Sequence, residues 1–149
     1  MEKKVKLLDV EKAEKIILRK VKPLKGKEKI DIKDSFGRVL ISNLNSKRNQ
    51  PELDLSAMDG YAVRKRDLSS LPKKFELVGE IKAGDTISKA VKKNQTFRIF
   101  TGAPIPKGAN KVVIQENCLK DGKEVLIKRE NKETYIRKKS HDISKKFTL

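Results

Sequence analysis

Val10, Ala13, Ile16, Ile17 and Val21 recur at helical spacing behind Asp9. This predicts a helix over residues 9–21, capped by Asp9. Pro23 and Gly26 end it. Residues 27–33 alternate, with Ile30 and Ile32 on one face, which predicts a short strand. Asp34-Ser35 predicts the cap of a short helix carrying Val39 and Leu40. Residues 42–50 are polar and expected to be extended. From Tyr61 onward the pattern is mostly β, with strands predicted near 61–63, 76–81, 96–100, 112–116 and 125–128. Asp121-Gly122 predicts a hairpin turn between the last two. Changes of pattern near Gln50 and Asn131 divide the chain. The expected fold class is α+β: residues 1–50 and 132–149, helical and extended, are expected to pack together, with 51–131 as an inserted, small, mainly β domain.

Two segments interrupt the pattern in an informative way. Leu55-Ser56-Ala57-Met58-Asp59-Gly60-Tyr61-Ala62-Val63 is too apolar for a surface loop and too broken for a helix or strand. Asp59-Gly60 predicts a tight turn, with Gly60 free to take positive φ. Thr96-Phe97-Arg98-Ile99-Phe100 then runs into Thr101-Gly102-Ala103-Pro104-Ile105-Pro106-Lys107-Gly108-Ala109, a loop stiffened by prolines and bent at glycines. Thr101 sits where a strand enters that loop, a usual place for binding groups. By turn chemistry alone Asp59 bonds backbone amides, and Thr101 satisfies a local backbone group. A carboxylate and a hydroxyl facing a ligand cleft is the alternative.

Together these segments resemble the molybdopterin molybdenumtransferase family, of the MoeA and gephyrin E-domain type. The resemblance rests on Ser56-Ala57-Met58-Asp59-Gly60-Tyr61-Ala62, on Ile81-Lys82-Ala83-Gly84, and on Ile99-Phe100-Thr101-Gly102-Ala103-Pro104-Ile105-Pro106 with Gly108-Ala109. Phe36-Gly37-Arg38-Val39-Leu40, Val112-Val113 with Glu116, and Ile136-Arg137 with Asp142-Ile143 extend it. It spans nearly the whole chain and about the first third of a typical member. It implies a linker domain with an inserted β domain, the pterin-binding and β-barrel domains being absent after Phe147-Thr148-Leu149. It also implies a half-site for inserting molybdate into adenylylated molybdopterin with release of AMP, inactive without the pterin-binding domain.

Residue by residue, the resemblance places Asp59 and Thr101 in the catalytic cleft. Ser56, Gly60, Tyr61, Gly102 and Arg137 become substrate-binding candidates, and Glu116 a support for the loop from a neighbouring strand. No certain metal ligand is implied, although Asp59 is a candidate for an indirect magnesium site. Mg2+ is the implied cofactor, molybdate and adenylylated molybdopterin are the substrates, and a homodimer and the pterin-binding domain are the partners. The chain departs from the family at Ser140 and near Lys145 and Lys146, where glycines are usual. Lost backbone freedom there predicts an altered returning segment, weakly protected beyond Lys138.

Composition narrows the alternatives. The net charge of +17 comes from 37 basic residues, of which 29 are lysine, spread along the chain rather than gathered with aromatics. Specific nucleic-acid binding is therefore not expected, although weak, salt-sensitive attraction to polyanions is. A degenerate basic remnant and a non-catalytic assembly module stay open as readings, because no glycine-rich phosphate cradle appears. Cys118 is the single cysteine and His141 the single histidine, so neither a disulfide nor a catalytic dyad is expected. No apolar run reaches the length of a membrane span and the first residues lack a signal-peptide core, so a cytoplasmic location is expected.

Overall fold

The apolar stripe behind Asp9 becomes a helix. The computed structural model describes residues 7–86 and 90–148. Within it α1 spans Val10–Lys20. The Asp9 carboxylate accepts from the amides of Glu11 at 3.0 Å and Lys12 at 3.4 Å, satisfying two amides that a helix start leaves open. Arg19 and Lys20 stand in the last turn, where they complement the helix dipole. No residue of α1 is buried, and Val10, Ile17 and Leu18 are exposed.

Two expectations for this part of the chain are corrected. Residues 27–33 form no strand, and no other described segment pairs with them. Their end folds into a 3-10 turn, Ile32–Asp34, started by the Asp31 carboxylate accepting from the Lys33 amide. The short helix beyond Asp34 is absent as well. Gly37 takes φ of +75°, which stops helical propagation after one turn. These residues belong to a compact unit, Met1–Ser42, separate from a second, Asn43–Leu149.

The second unit is built on a six-stranded sheet. Its strands are β2 (Gly60–Val63), β3 (Lys73–Ile81), β4 (Gln95–Ile99), β5 (Lys111–Ile114), β6 (Cys118–Asp121) and β7 (Glu124–Ile127), in the order β5-β2-β4-β3-β7-β6. Only β3 and β4 run parallel; the other neighbours are antiparallel. Both faces are covered. Tyr61, Val63, Phe75, Val113, Val125 and Ile127 pack on one side, and Ala62, Phe97, Ile99 and Val112 on the other. This explains why Gly60–Val63 is buried at every position rather than at alternate ones. The α+β class holds, with sheet predominating.

The Asp121-Gly122 turn forms, but it joins β6 to β7. The expected strand over 112–116 stops at Ile114, because Gln115–Asn117 turns as a 3-10 segment before β6 begins. Glu116 lies in that turn, not in a strand. Cys118 is partly buried, and burial pushes its thiol up to about 12, which leaves it unreactive. Lys111 is 1% exposed. Its ammonium is held by Glu130 and by the Asn131 carbonyl.

The last segment folds back on residues 45–56. A two-stranded ribbon pairs β1 (Leu55–Ser56) with β8 (Ile136–Arg137), and isolated bridges join Gln50 to Ile143 and Asn45 to Thr148. The amides of Ser140 and Asp142 donate to the carbonyls of Pro51 and Gln50, at 3.0 and 2.9 Å. The returning path beyond Lys138 is tied by backbone hydrogen bonds to residues 46–51. Its bends still take the left-handed conformation that glycine favours, at Ser140 (φ +66°) and Lys146 (φ +73°). Each side chain there carries strain of about 1 kcal/mol. Ser140→Gly and Lys146→Gly should each stabilise the fold by about 0.5–1 kcal/mol, less the entropy glycine adds to the unfolded chain. Urea unfolding checks this, and a lower midpoint in both variants would contradict it.

Candidate functional site

Strand register gathers the signature loops at one end of the sheet. Ile114, Gly60, Ile99 and Ile81 form one row across β5, β2, β4 and β3. One residue beyond that row the chain supplies Gln115, Asp59, Phe100 and Lys82. Loops far apart in sequence thus emerge side by side.

Asp59 and Thr101 meet there. Asp59 Oδ1 accepts from the Thr101 amide at 2.8 Å and from the Thr101 hydroxyl at 2.8 Å. These two donors, the amide first, hold the carboxyl below the usual carboxylate range, against slight desolvation and with help from the Arg98 charge. The carboxylate therefore stays ionised to more acid pH than a free aspartate. The Asp59 carbonyl accepts from the Gln115 amide at 3.2 Å. The turn is thus held from two sides.

Gly60 matters for a reason other than its φ. It is not in the left-handed region, which corrects the turn-based expectation. A Cβ on Gly60 would lie 2.1 Å from the Val113 carbonyl oxygen. Glycine is required because β5 approaches too closely. Gly102 does take positive φ, +82°, and lies next to Ala83, whose Cβ would be 3.6 Å from a Cβ there. The Ile81-Lys82-Ala83-Gly84 segment therefore borders the Thr101-Gly102 loop.

The other predicted residues divide between supporting and open positions. Ser56 is 2% exposed, and its hydroxyl donates to the Met58 carbonyl at 2.6 Å. Its carbonyl accepts from the Gly102 amide at 2.8 Å, and its amide donates to Ala103. Ser56 stitches the two signature loops together from beneath. Tyr61 is 5% exposed and packs in the core, and burial raises its hydroxyl above the ordinary value. Arg137 lies on β8, opposite Leu55, and its exposed guanidinium is paired with Asp142. Of the named residues, Asp59, Gly60, Thr101 and Gly102 are brought together. Arg137 is tied to the start of the same loop but already has an acidic partner.

Arg98 and Gln115 were not singled out by sequence. Arg98 sits opposite Tyr61 across the β2–β4 pair, and its guanidinium donates to the Gly60 carbonyl at 3.3 Å and to Gln115 Oε1 at 2.6 Å. The available signal was a charged residue inside the apolar run Phe97-Arg98-Ile99-Phe100. Among the described residues no group of three or more His, Cys, Asp or Glu side chains could hold a metal. Among the described residues, no helix is long and apolar enough to cross a membrane.

The whole described arrangement has close relatives. The chain is 39% identical over 104 residues to a molybdopterin molybdenumtransferase of Nostoc sp., covering 67% of this chain and 24% of that protein. It is 32% identical over 123 residues to gephyrin of Dictyostelium discoideum, covering 72% of this chain and 17% of that one. The crystal structure of a molybdopterin biosynthesis moeA protein from Pyrococcus horikoshii OT3 superposes with a TM-score of 0.78 at 27% identity, over 97% of this chain and 39% of that chain. The chain spans about a quarter of the length of the first two curated relatives, 24% and 22%. Residues 8–149 match the family described as MoeA N-terminal region (domain I and II), and the chain belongs to that family.

Proposed function

We propose that this chain supplies one half of a molybdotransferase site in molybdenum cofactor biosynthesis. The observation that carries this reading is the tie between the two signature loops, Asp59 Oδ1 to the amide and hydroxyl of Thr101. The substrates would be molybdate and adenylylated molybdopterin, and AMP would leave as the metal enters the dithiolene. Residues 1–50 and 132–149 would form the linker domain and 51–131 the inserted β domain. The other half of the cleft would come from a pterin-binding domain, so the chain alone is inactive in this reading.

Asp59 and Thr101 are the proposed catalytic pair. Gly102 lets the backbone come close to a ligand, Gly60 lets β5 close against the Asp59 turn, Ser56 and Tyr61 hold the floor of the cleft, and Arg137 is a candidate for a substrate phosphate. Asp59 would hold a hydrated Mg2+ whose remaining ligands are substrate oxygens, and the cation would neutralise charge developing on the phosphoanhydride. The +17 net charge favours approach of such a polyanionic substrate. A cytoplasmic location belongs to the same reading.

The test is complementation. The chain by itself should insert no molybdenum, and adding the pterin-binding portion of a relative in trans should restore cofactor formation. If the two parts bind each other and no cofactor forms, the reading fails.

Assembly is part of the proposal. Within Met1–Ser42, Leu7, Val10, Leu18, Leu24, Phe36 and Val39 are exposed, an apolar content that association would cover. A homodimer or larger oligomer is expected at micromolar concentration. Sedimentation as a clean monomer at high concentration would speak against it. The same surface favours a second reading, a non-catalytic assembly module, which predicts dimerisation without any restored activity.

A further inference from the structure

We infer that Arg98 is a positioning residue for the Asp59–Thr101 site: its guanidinium pins both chain segments that hold the Asp59 turn. One arm, Nη1, donates to the carbonyl of Gly60, the residue directly after Asp59, at 3.3 Å. The other, Nη2, donates to Gln115 Oε1 at 2.6 Å, and the Gln115 amide in turn donates to the Asp59 carbonyl at 3.2 Å. Arg98, Gly60, Asp59 and Gln115 thereby form a closed circuit of hydrogen bonds linking β4, β2 and the turn after β5.

The guanidinium plane is fixed as well. It lies 5.2 Å from the centre of the Tyr61 ring and 4.8 Å from that of Phe100. Tyr61 is its direct partner across the β2–β4 pair. Phe100 comes two residues after it, just before Thr101. Cation–π contact with two rings leaves the fork little freedom. Arg98 makes no ion pair among the described residues, so its directed bonds go to the Asp59 turn. A lysine could supply the charge but not a planar fork reaching two acceptors at once.

The inference rests on reading Asp59 as the carboxylate of the site, but its test needs no turnover. The reporter is the Thr101 amide, which donates to Asp59 and should show the downfield proton signal of a bond to a carboxylate. In the 15N-labelled chain, Arg98→Gln should move that proton upfield and cut its exchange protection by about tenfold. The β7 amides of Val125 and Ile127 should keep wild-type protection. Arg98→Lys should recover less than half of the lost shift. Gln115→Leu removes one arm from a solvent-exposed position and should shift the Thr101 proton in the same direction. An unchanged Thr101 signal in folded Arg98→Gln, or full rescue by lysine, overturns the inference. If Arg98→Gln unfolds the sheet, Gln115→Leu decides alone, and an unchanged signal there overturns it. A negative result leaves the Asp59 reading to the complementation assay, so the two failures are distinguishable.

Discussion

Gly60→Ala is expected to destabilise the protein by about 3 kcal/mol or more, the upper range for overpacking a rigid interior. The new methyl would meet the Val113 carbonyl oxygen at 2.1 Å and its carbon at 2.9 Å. Both are backbone atoms, so no side chain can turn aside. Either β2 or β5 must shift, and the ladder from Gly60↔Ile114 to Val63↔Lys111 would be disturbed. Val63, Val112 and Val113 are all fully buried beside it. Gly84 provides the contrast. It has φ of +89° and nothing within 4 Å of a new Cβ, so Gly84→Ala should cost only about 1 kcal/mol of conformational strain. Urea unfolding of both variants checks the difference. Equal costs would mean that β2 and β5 yield easily to the methyl and that close approach does not require glycine at position 60.

In the complementation assay, Asp59→Ala is expected to lower molybdenum insertion by about a hundredfold or more, the usual scale for losing a preorganised electrostatic group. The sheet should stay folded, because Asp59 is only partly buried and lies outside the core strands. Asp59→Asn refines the result. It can still accept from the Thr101 amide and hydroxyl, which the carboxylate does at 2.8 Å each, but it carries no charge. If the charge does the chemistry, Asn should be nearly as inactive as Ala. If Asp59 only shapes the loop, Asn should recover most of the activity. Thr101→Val keeps the backbone bond and loses one hydroxyl, so about a threefold to tenfold loss is expected from a bond worth about 0.5–1.5 kcal/mol. Wild-type activity in Asp59→Ala would remove Asp59 from the proposed site.

Local chemistry made several features legible in the sequence. Asp9 followed by apolar residues at helical spacing gives a capped helix, because capping and amphipathic periodicity depend on residues within a few positions of each other. The five strands expected after Tyr61 appear within a few residues of where alternation put them. The signature loops stood out because their composition suits neither helix nor strand. The errors arose where local pattern lacked a partner. Ile30 and Ile32 alternate like a strand, yet no other described segment pairs with them, and alternation cannot supply the other half of a ladder. Ser140 and Lys146 looked unable to follow a glycine path, but hydrogen bonds to Pro51 and Ser46 hold their segment in place despite left-handed φ.

Tertiary structure alone decided the site's geometry. Asp59 and Thr101 are 42 residues apart, and only the antiparallel register of β2 with β4 brings them to 2.8 Å. The requirement for glycine at position 60 comes from a carbonyl on β5, so turn chemistry read from Asp59-Gly60 gave the right residue for the wrong reason. Arg98 was hidden for the same cause. Its role depends on Gly60 and Gln115, which lie 38 and 17 residues away. Sequence determined which elements could form and which loops were unusual, because those follow from short-range preferences. The sheet decided what those loops hold, because register between distant strands sets which polar groups meet.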